Sequence, residues 1–292
     1  MIKPTIQLGK RNQLKVLREV DFGMYLDGGE MTDVLLPRRY IPEGTNIGDT
    51  VDVFIYLDSE ERIVATTEKP KVEVGQFAFL EVSWVNQYGA FLNWGLMKDL
   101  FCPFSEQKQK MQQGRSYIVF CHIDEQTSRI VATAKVEKYL SKELPPYHAG
   151  DSVNVLIQQK TDLGFKAIIE NRFTGLIYQN ELFCDIHTGD RLKAFVKTVR
   201  QDGKIDLALQ QQGRQNISDF AQQLHAYLLE QPEGYCHFHD KSPTEDIYNE
   251  FHVSKKTFKK AVGDLYKRRV ITIEPNGLRL TAEGRITGIT ED

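Results

Sequence analysis

The sequence predicts a mainly β chain with an α+β end, built as three tandem five-stranded barrels and a C-terminal winged helix-turn-helix. Three observations carry that expectation. Short apolar strands broken by Gly and Asp turns recur three times, each set filling about 70 residues, which is the pattern of a small antiparallel barrel. The pentapeptide Arg-Ile-Val-Ala-Thr closes two of the three sets, at 62–66 and 129–133. After Gly213 the apolar spacing changes to that of helices.

The first repeat runs Leu14-Lys15-Val16-Leu17, Phe22-Gly23-Met24-Tyr25-Leu26, Val34-Leu35-Leu36-Pro37, then Gly48-Asp49 and Val51 to Tyr56, and closes on Arg62 to Thr66. The second runs Gly75 to Val82, Tyr88-Gly89-Ala90-Phe91-Leu92, Leu100-Phe101-Cys102-Pro103, Gly114-Arg115, Tyr117 to Ile123 and Arg129 to Thr133. The third runs Gly150 to Val153, Leu163-Gly164-Phe165, Gly175 to Tyr178, Gly189-Asp190, Leu192 to Val199 and Lys204 to Leu207. Helical spacing then joins Ile217, Phe220, Ala221, Leu224 and Leu228, and Pro232-Glu233-Gly234 ends that helix. Ser242-Pro243-Thr244-Glu245 reads as a capping box opening a second helix to about Phe251. Ser254 caps a third, with Phe258, Ala261, Val262, Leu265 and Tyr266 on its apolar stripe. Two short strands around Glu274-Pro275-Asn276-Gly277 complete a winged helix plan. The expected domains are 1–70, 71–143, 144–212 and 213–292.

Composition narrows the class. The chain has 292 residues, 41% hydrophobic and 26% charged, with a net charge of −3. That excludes wholesale disorder. No apolar run reaches the ~20 residues of a membrane helix, and Met1 to Gln7 lacks the apolar core of a secretory signal. A cytoplasmic protein with reduced thiols is expected. Cys102, Cys121, Cys184 and Cys236 form no Cys-x-x-Cys pair, which argues against a disulfide framework or a zinc ribbon.

The barrel repeats resemble the S-one domain, the RNA-binding module named after the largest small-subunit ribosomal protein. Its pattern is an aromatic-Gly-Ala-Phe strand, a Gly-Leu-Leu-His-x-Ser-Glu segment, and a closing Asp followed by Arg-Ile. Tyr88-Gly89-Ala90-Phe91 matches the first element closely and Phe22-Gly23-Met24-Tyr25 nearly. The third repeat keeps Gly175-Leu176-Ile177-Tyr178-Gln179-Asn180-Glu181 but has Leu163 and Lys166 at the aromatic positions, while Pro37, Pro103 and Tyr178 stand where the His belongs. Over its whole length the chain is similar to the conserved virulence factor B family, on the strength of 56–66 and Gly89-Ala90-Phe91-Leu92-Asn93-Trp94-Gly95-Leu96-Met97-Lys98-Asp99-Leu100. The resemblance implies barrels of OB type and a bacterial cytoplasmic RNA-binding protein that influences gene expression.

Such barrels bind single strands by stacking bases on exposed rings while basic groups follow the phosphates. The resemblance places Tyr88, Phe91 and Arg129 in those roles in the second repeat, and Phe22, Tyr25 and Arg62 in the first. Strand alternation raises the competing reading, that one ring of each pair is core, because 88 and 91 differ in parity and only a turn at Gly89 can bring both outward. The third repeat offers Lys166, Arg172, Arg191, Lys193, Lys197, Arg200 and Lys204, with Tyr178 as its stacking candidate; an ordinary solvated face is the alternative, since the domain carries eight cations against eight acids.

The third helix carries Lys255, Lys256, Lys259, Lys260, Lys267, Arg268 and Arg269 against Asp264 alone, a net +6 over 254–269. Lys256, Lys259, Lys260 and Lys267 fall on one stripe, suited to phosphates rather than to base edges. Phosphate-loop, His-Glu-x-x-His and Gly-x-Ser-x-Gly motifs are missing, so no catalysis is expected. His225, Cys236, His237, His239 and His252 sit close in sequence, yet strand neighbours point alternately, so no metal or other cofactor is expected. Asp185, Asp190, Asp202 and Asp206 read as turn residues rather than nuclease carboxylates. The expected function is a non-enzymatic post-transcriptional regulator that binds single-stranded RNA and no membrane. The alternatives are a winged-helix DNA-binding regulator or an accessory factor of an RNA-processing enzyme.

Overall fold

The computed structural model describes residues 6–29, 33–179, 182, 185–209, 214–251 and 253–285. Asn180 and Glu181 of the third repeat's motif, and Cys184 and His252, lie outside these residues. The chain forms two compact units, 1–141 and 142–292, each holding two of the expected folds.

In the first unit, β1 (Arg11–Val20), β2 (Gly23–Leu26), β3 (Val34–Pro37), β4 (Thr50–Leu57) and β5 (Ile63–Thr66) close a barrel in the order β1-β2-β3-β5-β4. A second barrel follows from β6 (Phe77–Val85), β7 (Gly89–Leu92), β8 (Leu100–Pro103), β9 (Ser116–Ile123) and β10 (Ile130–Thr133). Each closes through one parallel pair, β3 with β5 and β8 with β10. Gly89 is required by this closure. A Cβ there would sit 2.3 Å from the Cys102 carbonyl oxygen of β8.

Strand β4 explains how the two barrels join. Its run Val53-Phe54-Ile55-Tyr56 is buried on both faces. Val53 and Ile55 fill the first barrel with Leu14, Val16, Leu26 and Leu36. Phe54 and Tyr56 instead enter the core of the second, where Phe54 meets Trp94 edge-on at 5.7 Å. A fully buried side chain of this size contributes roughly 1.5–3 kcal/mol, so the shared core fastens the two barrels together. Cys102 and Cys121 lie in that second core, where burial pushes both thiols up to about 12 and keeps them protonated.

The second unit contains a third barrel of β11 (Ser152–Thr161), β12 (Gly164–Ile169), β13 (Phe173–Tyr178), β14 (Arg191–Val199) and β15 (Ile205–Ala208). The winged helix then runs α1 (Arg214–Glu230), β16 (Tyr235–Cys236), α2 (Thr244–Phe251), α3 (Lys255–Lys267), β17 (Ile271–Glu274) and β18 (Gly277–Leu280). Its core gathers Phe220, Leu224, Phe258, Val262, Leu265 and Leu278. Ser254 caps α3 as expected, accepting from the Thr257 amide at 3.0 Å. The other cap differs: α2 starts at Thr244, and the Ser242 hydroxyl accepts from the His239 amide instead. The short strand β16 pairs with β18 and so adds a third strand to the expected hairpin.

Candidate nucleic-acid interface

All three barrels share a bulge in their first strand, where it leaves the core. It falls between Val16 and Arg18, between Val82 and Trp84, and between Ile157 and Gln159. An extra residue reverses the inward-outward alternation beyond it. Ala78, Leu80 and Val82 point inward, and unbroken alternation would send Trp84 after them. The bulge turns it out, to 44% exposure.

There Trp84 lies flat on Phe91, with centroids 3.7 Å apart and planes 3° from parallel. Phe91 in turn meets Phe101 at 4.9 Å. Its partner in the sequence pattern stands differently. Asn86 closes a tight turn by accepting from the amides of Tyr88 and Gly89, and the Tyr88 ring projects with 66% of the residue exposed. The turn therefore does bring both rings outward. Tyr88 is open, whereas Phe91 is half-buried with one face covered by Trp84. Tyr88, Phe91, Phe101, Lys98 and Arg129 line one groove of 410 Å³, whose far wall is the β4–β5 hairpin of the first barrel, including Glu61.

The same three cross-strand positions differ in each barrel. Trp84, Phe91 and Phe101 stand together in the second. Arg18, Tyr25 and Leu35 replace them in the first, and Gln159, Lys166 and Leu176 in the third. In the first barrel Arg18 covers the Tyr25 ring at 3.8 Å, leaving Phe22, 58% exposed, as its open ring. Only the second barrel has a continuous aromatic surface among the described residues. Trp84, Phe101 and Lys98 are absent from the sequence-predicted set.

Most predicted barrel cations already have carboxylate partners. Arg62 pairs with Asp58 at 2.7 Å and Glu60 at 2.9 Å, Arg129 with Glu61 at 3.1 Å, Lys204 with Asp202 at 2.7 Å, and Arg172 with Glu143. Tyr178 is half-buried and accepts from Arg200, which Asp206 also holds. Arg191, Lys193 and Lys197 do point outward from β14. However, Lys193 and Arg191 line a separate hollow with Glu170, away from Lys166 on β12 and Tyr178 on β13. The third barrel thus does not bring its candidates together. A larger cavity of 840 Å³ in this unit presents Asp185 and Glu245 beside Lys160, which is a poor surface for phosphate.

On α3, Phe258, Ala261, Val262 and Leu265 face inward while Lys256, Lys259, Lys260 and Lys267 are exposed, as the stripe predicts. Lys255 leaves this face, its ammonium donating to the Ser242 carbonyl at 2.7 Å. Arg268 pairs back to Asp264. Near β16 the metal-like residues diverge: the His225 ring bonds the Gly284 carbonyl, and the Cys236 thiol points to the Phe238 carbonyl. Among the described residues no three His, Cys, Asp or Glu side chains gather as a metal site, and no helix is long and apolar enough to cross a membrane.

Two family models match parts of the chain, and several known proteins are similar to it over most of its length. Residues 8–68 match the family model of the S1 domain, and residues 222–280 that of the CvfB-like winged helix domain. A Bacillus subtilis (strain 168) protein, YitL, is 27% identical over 275 residues, covering 89% of each chain. Conserved virulence factor B of Staphylococcus aureus (strain N315) is 24% identical over 249 residues, covering 82% of this chain and 81% of the relative. A solved Streptococcus pneumoniae TIGR4 structure, described as a multidomain protein with nucleic acid binding domains, covers 94% of this chain and 98% of its own at 20% identity, with a TM-score of 0.41.

Proposed function

We propose that this chain, which carries an S1 domain and a CvfB-like winged helix domain and is similar over most of its length to conserved virulence factor B, is a non-enzymatic bacterial cytoplasmic RNA-binding protein that regulates gene expression after transcription. The observation that carries the reading is the aromatic groove of the second barrel. Open Tyr88 and the Trp84–Phe91–Phe101 stack offer π-faces to unpaired bases, and each stacked base is worth ~1–3 kcal/mol. A duplex keeps its bases stacked on one another, so this groove favours a single strand. The lysine face of α3 adds phosphate contacts that carry no sequence information. Two weak tethered modules exceed either alone by ~10²–10⁴ where both engage.

A second reading, binding of duplex DNA by the winged helix, is favoured by the position of the exposed lysines on its third helix. One comparison decides between them. The affinity of a short RNA and of the same-sequence DNA duplex is measured across salt for the wild type, for Tyr88→Ala with Phe91→Ala, and for Lys256→Glu with Lys259→Glu. Tighter binding of the RNA, weakened by the aromatic pair of substitutions, supports the proposal. Tighter binding of the duplex overturns it.

A further inference from the structure

We propose that Lys98 and Arg129 form a binding site for an RNA backbone phosphodiester, and that the Glu61 carboxylate is the resident anion which this phosphate displaces. The inference deepens the RNA-binding reading and rests on it. Glu61 belongs to the β4–β5 hairpin of the first barrel, yet both its carboxylate oxygens serve cations of the second. One lies 3.1 Å from the Arg129 Nε and the other 3.4 Å from the Lys98 Nζ. Lys98 is held in place independently of Glu61, donating to the Asp58 carbonyl at 2.7 Å. All three residues line the groove that contains Tyr88, Phe91 and Phe101. A chelating pair of cations beside a stacking surface matches the layout of a nucleotide, whose charge lies one sugar away from its base.

The backbone at Glu61 adds a second observation. The residue sits at φ 62°, in the left-handed region, two residues before the closing strand β5 begins. Equivalent turns in the other barrels use Ser128 at φ 57° and Gly203 at φ 78°. Glycine adopts this conformation without steric cost, as the third barrel illustrates, whereas glutamate does not. The first barrel therefore keeps a charged residue in this conformation at a turn that reaches its neighbour's cations. Charge gives the consequence. With Glu61 in place, Lys98 and Arg129 are balanced by Glu61 and by Asp99, which accepts from the Trp84 indole. Without Glu61 the groove gains a net positive charge and can accept a phosphate.

The test measures binding of a fluorescein-labelled eight-residue oligouridylate to the full chain. Glu61→Gln removes the charge at constant size and is expected to tighten binding by roughly two- to thirty-fold, the worth of two exposed ion pairs. Glu61→Gly, which also relieves the backbone, is expected to tighten it similarly and serves if the glutamine variant folds poorly. In a Lys98→Gln, Arg129→Gln background, Glu61→Gln should change nothing. Unchanged or weaker binding by both Glu61 variants overturns the phosphate site. If Tyr88→Ala still weakens RNA binding in that event, the RNA-binding reading stands and only this inference falls. No binding of RNA by wild type or variants overturns both.

Discussion

Tyr88 and Phe91 are adjacent in the groove but differ in how much of the fold depends on them. Tyr88 is 66% exposed, and its turn is closed by backbone amides bonded to Asn86, which Tyr88→Ala leaves intact. Its stability cost should stay within about 0.5 kcal/mol, as for other surface substitutions. Losing one stacked base should cost ~1–3 kcal/mol of RNA binding, a five- to 150-fold rise in Kd. Phe91→Ala removes two ring contacts, with Trp84 at 3.7 Å and Phe101 at 4.9 Å. At ~0.5–1.5 kcal/mol per aromatic pair, the fold should lose about 1–3 kcal/mol in addition to any binding. Urea unfolding and RNA titration on the two single variants separate these effects. Tryptophan emission gives a further readout, because the chain has two tryptophans, Trp84 beside the groove and Trp94 3% exposed in the core. RNA should quench the emission of the wild type but not of Trp84→Phe. Wild-type RNA affinity in Tyr88→Ala, or quenching that persists in Trp84→Phe, would refute the placement of bases in this groove.

Further outcomes follow from local geometry. Gly89→Ala brings a Cβ against the Cys102 carbonyl and should destabilise the fold by ~1–3 kcal/mol, visible as an earlier urea midpoint. Ser254→Ala removes the cap of α3 and should cost about 1 kcal/mol in the same assay. Acid should weaken all three barrels through one repeated turn. In Asp58 the desolvation of burial is outweighed by hydrogen bonds from the Arg62 and Glu60 amides and the Arg62 guanidinium, which hold the carboxyl below its ordinary 3.8. Asp124 is lowered by Thr127 and Asp202 by Lys204. Carboxyls depressed in the folded state contribute stability that is fully present above pH 3.8 and lost as pH falls through their folded values. Urea midpoints at pH 7 and pH 3 should therefore differ more for the wild type than for Asp58→Asn with Asp124→Asn.

Much of the architecture was legible in the sequence because strands, turns and helices obey short-range rules. The repeated Arg-Ile-Val-Ala-Thr ends both barrels of the first unit at β5 and β10, and the Phe258, Val262, Leu265 spacing sets the buried face of α3. The groove was legible only in part. Tyr88, Phe91 and Arg129 could be placed by resemblance, but Trp84 could not, because period-two alternation assigns it to the core and a bulge is invisible to that rule. Glu61 and Lys98 escaped for a different reason. They are distant in sequence and meet only because β4 is buried on both faces and joins the two barrels, a fact that resides in tertiary packing. The Ser242 box failed locally, since its hydroxyl found the His239 amide before the helix began.

The distribution of ion pairs leads to a division of labour with its own test. A barrel cation such as Arg129 would have to exchange an internal carboxylate for a phosphate, so its gain on binding would be the difference of two similar contacts. Lys256, Lys259 and Lys260 on α3 make no ion pair among the described residues. Neutralising a phosphate there releases counterions outright, and each contact steepens the dependence of log K on log salt by ~0.7 for a single strand. Salt sensitivity should therefore reside in the winged helix, and salt-independent affinity in the second barrel. Lys256→Glu with Lys259→Glu should flatten the salt slope by about 1.4, two contacts' worth. Tyr88→Ala should lower affinity by the same factor at every salt concentration and leave the slope unchanged. The opposite pattern, a slope that follows Tyr88 and ignores the lysines, would mean that counterions are released at the barrel and that α3 is an ordinary solvated face. On these terms the net charge of −3 does not by itself decide polyanion binding, which turns on where the exposed cations lie and which of them an internal carboxylate already holds.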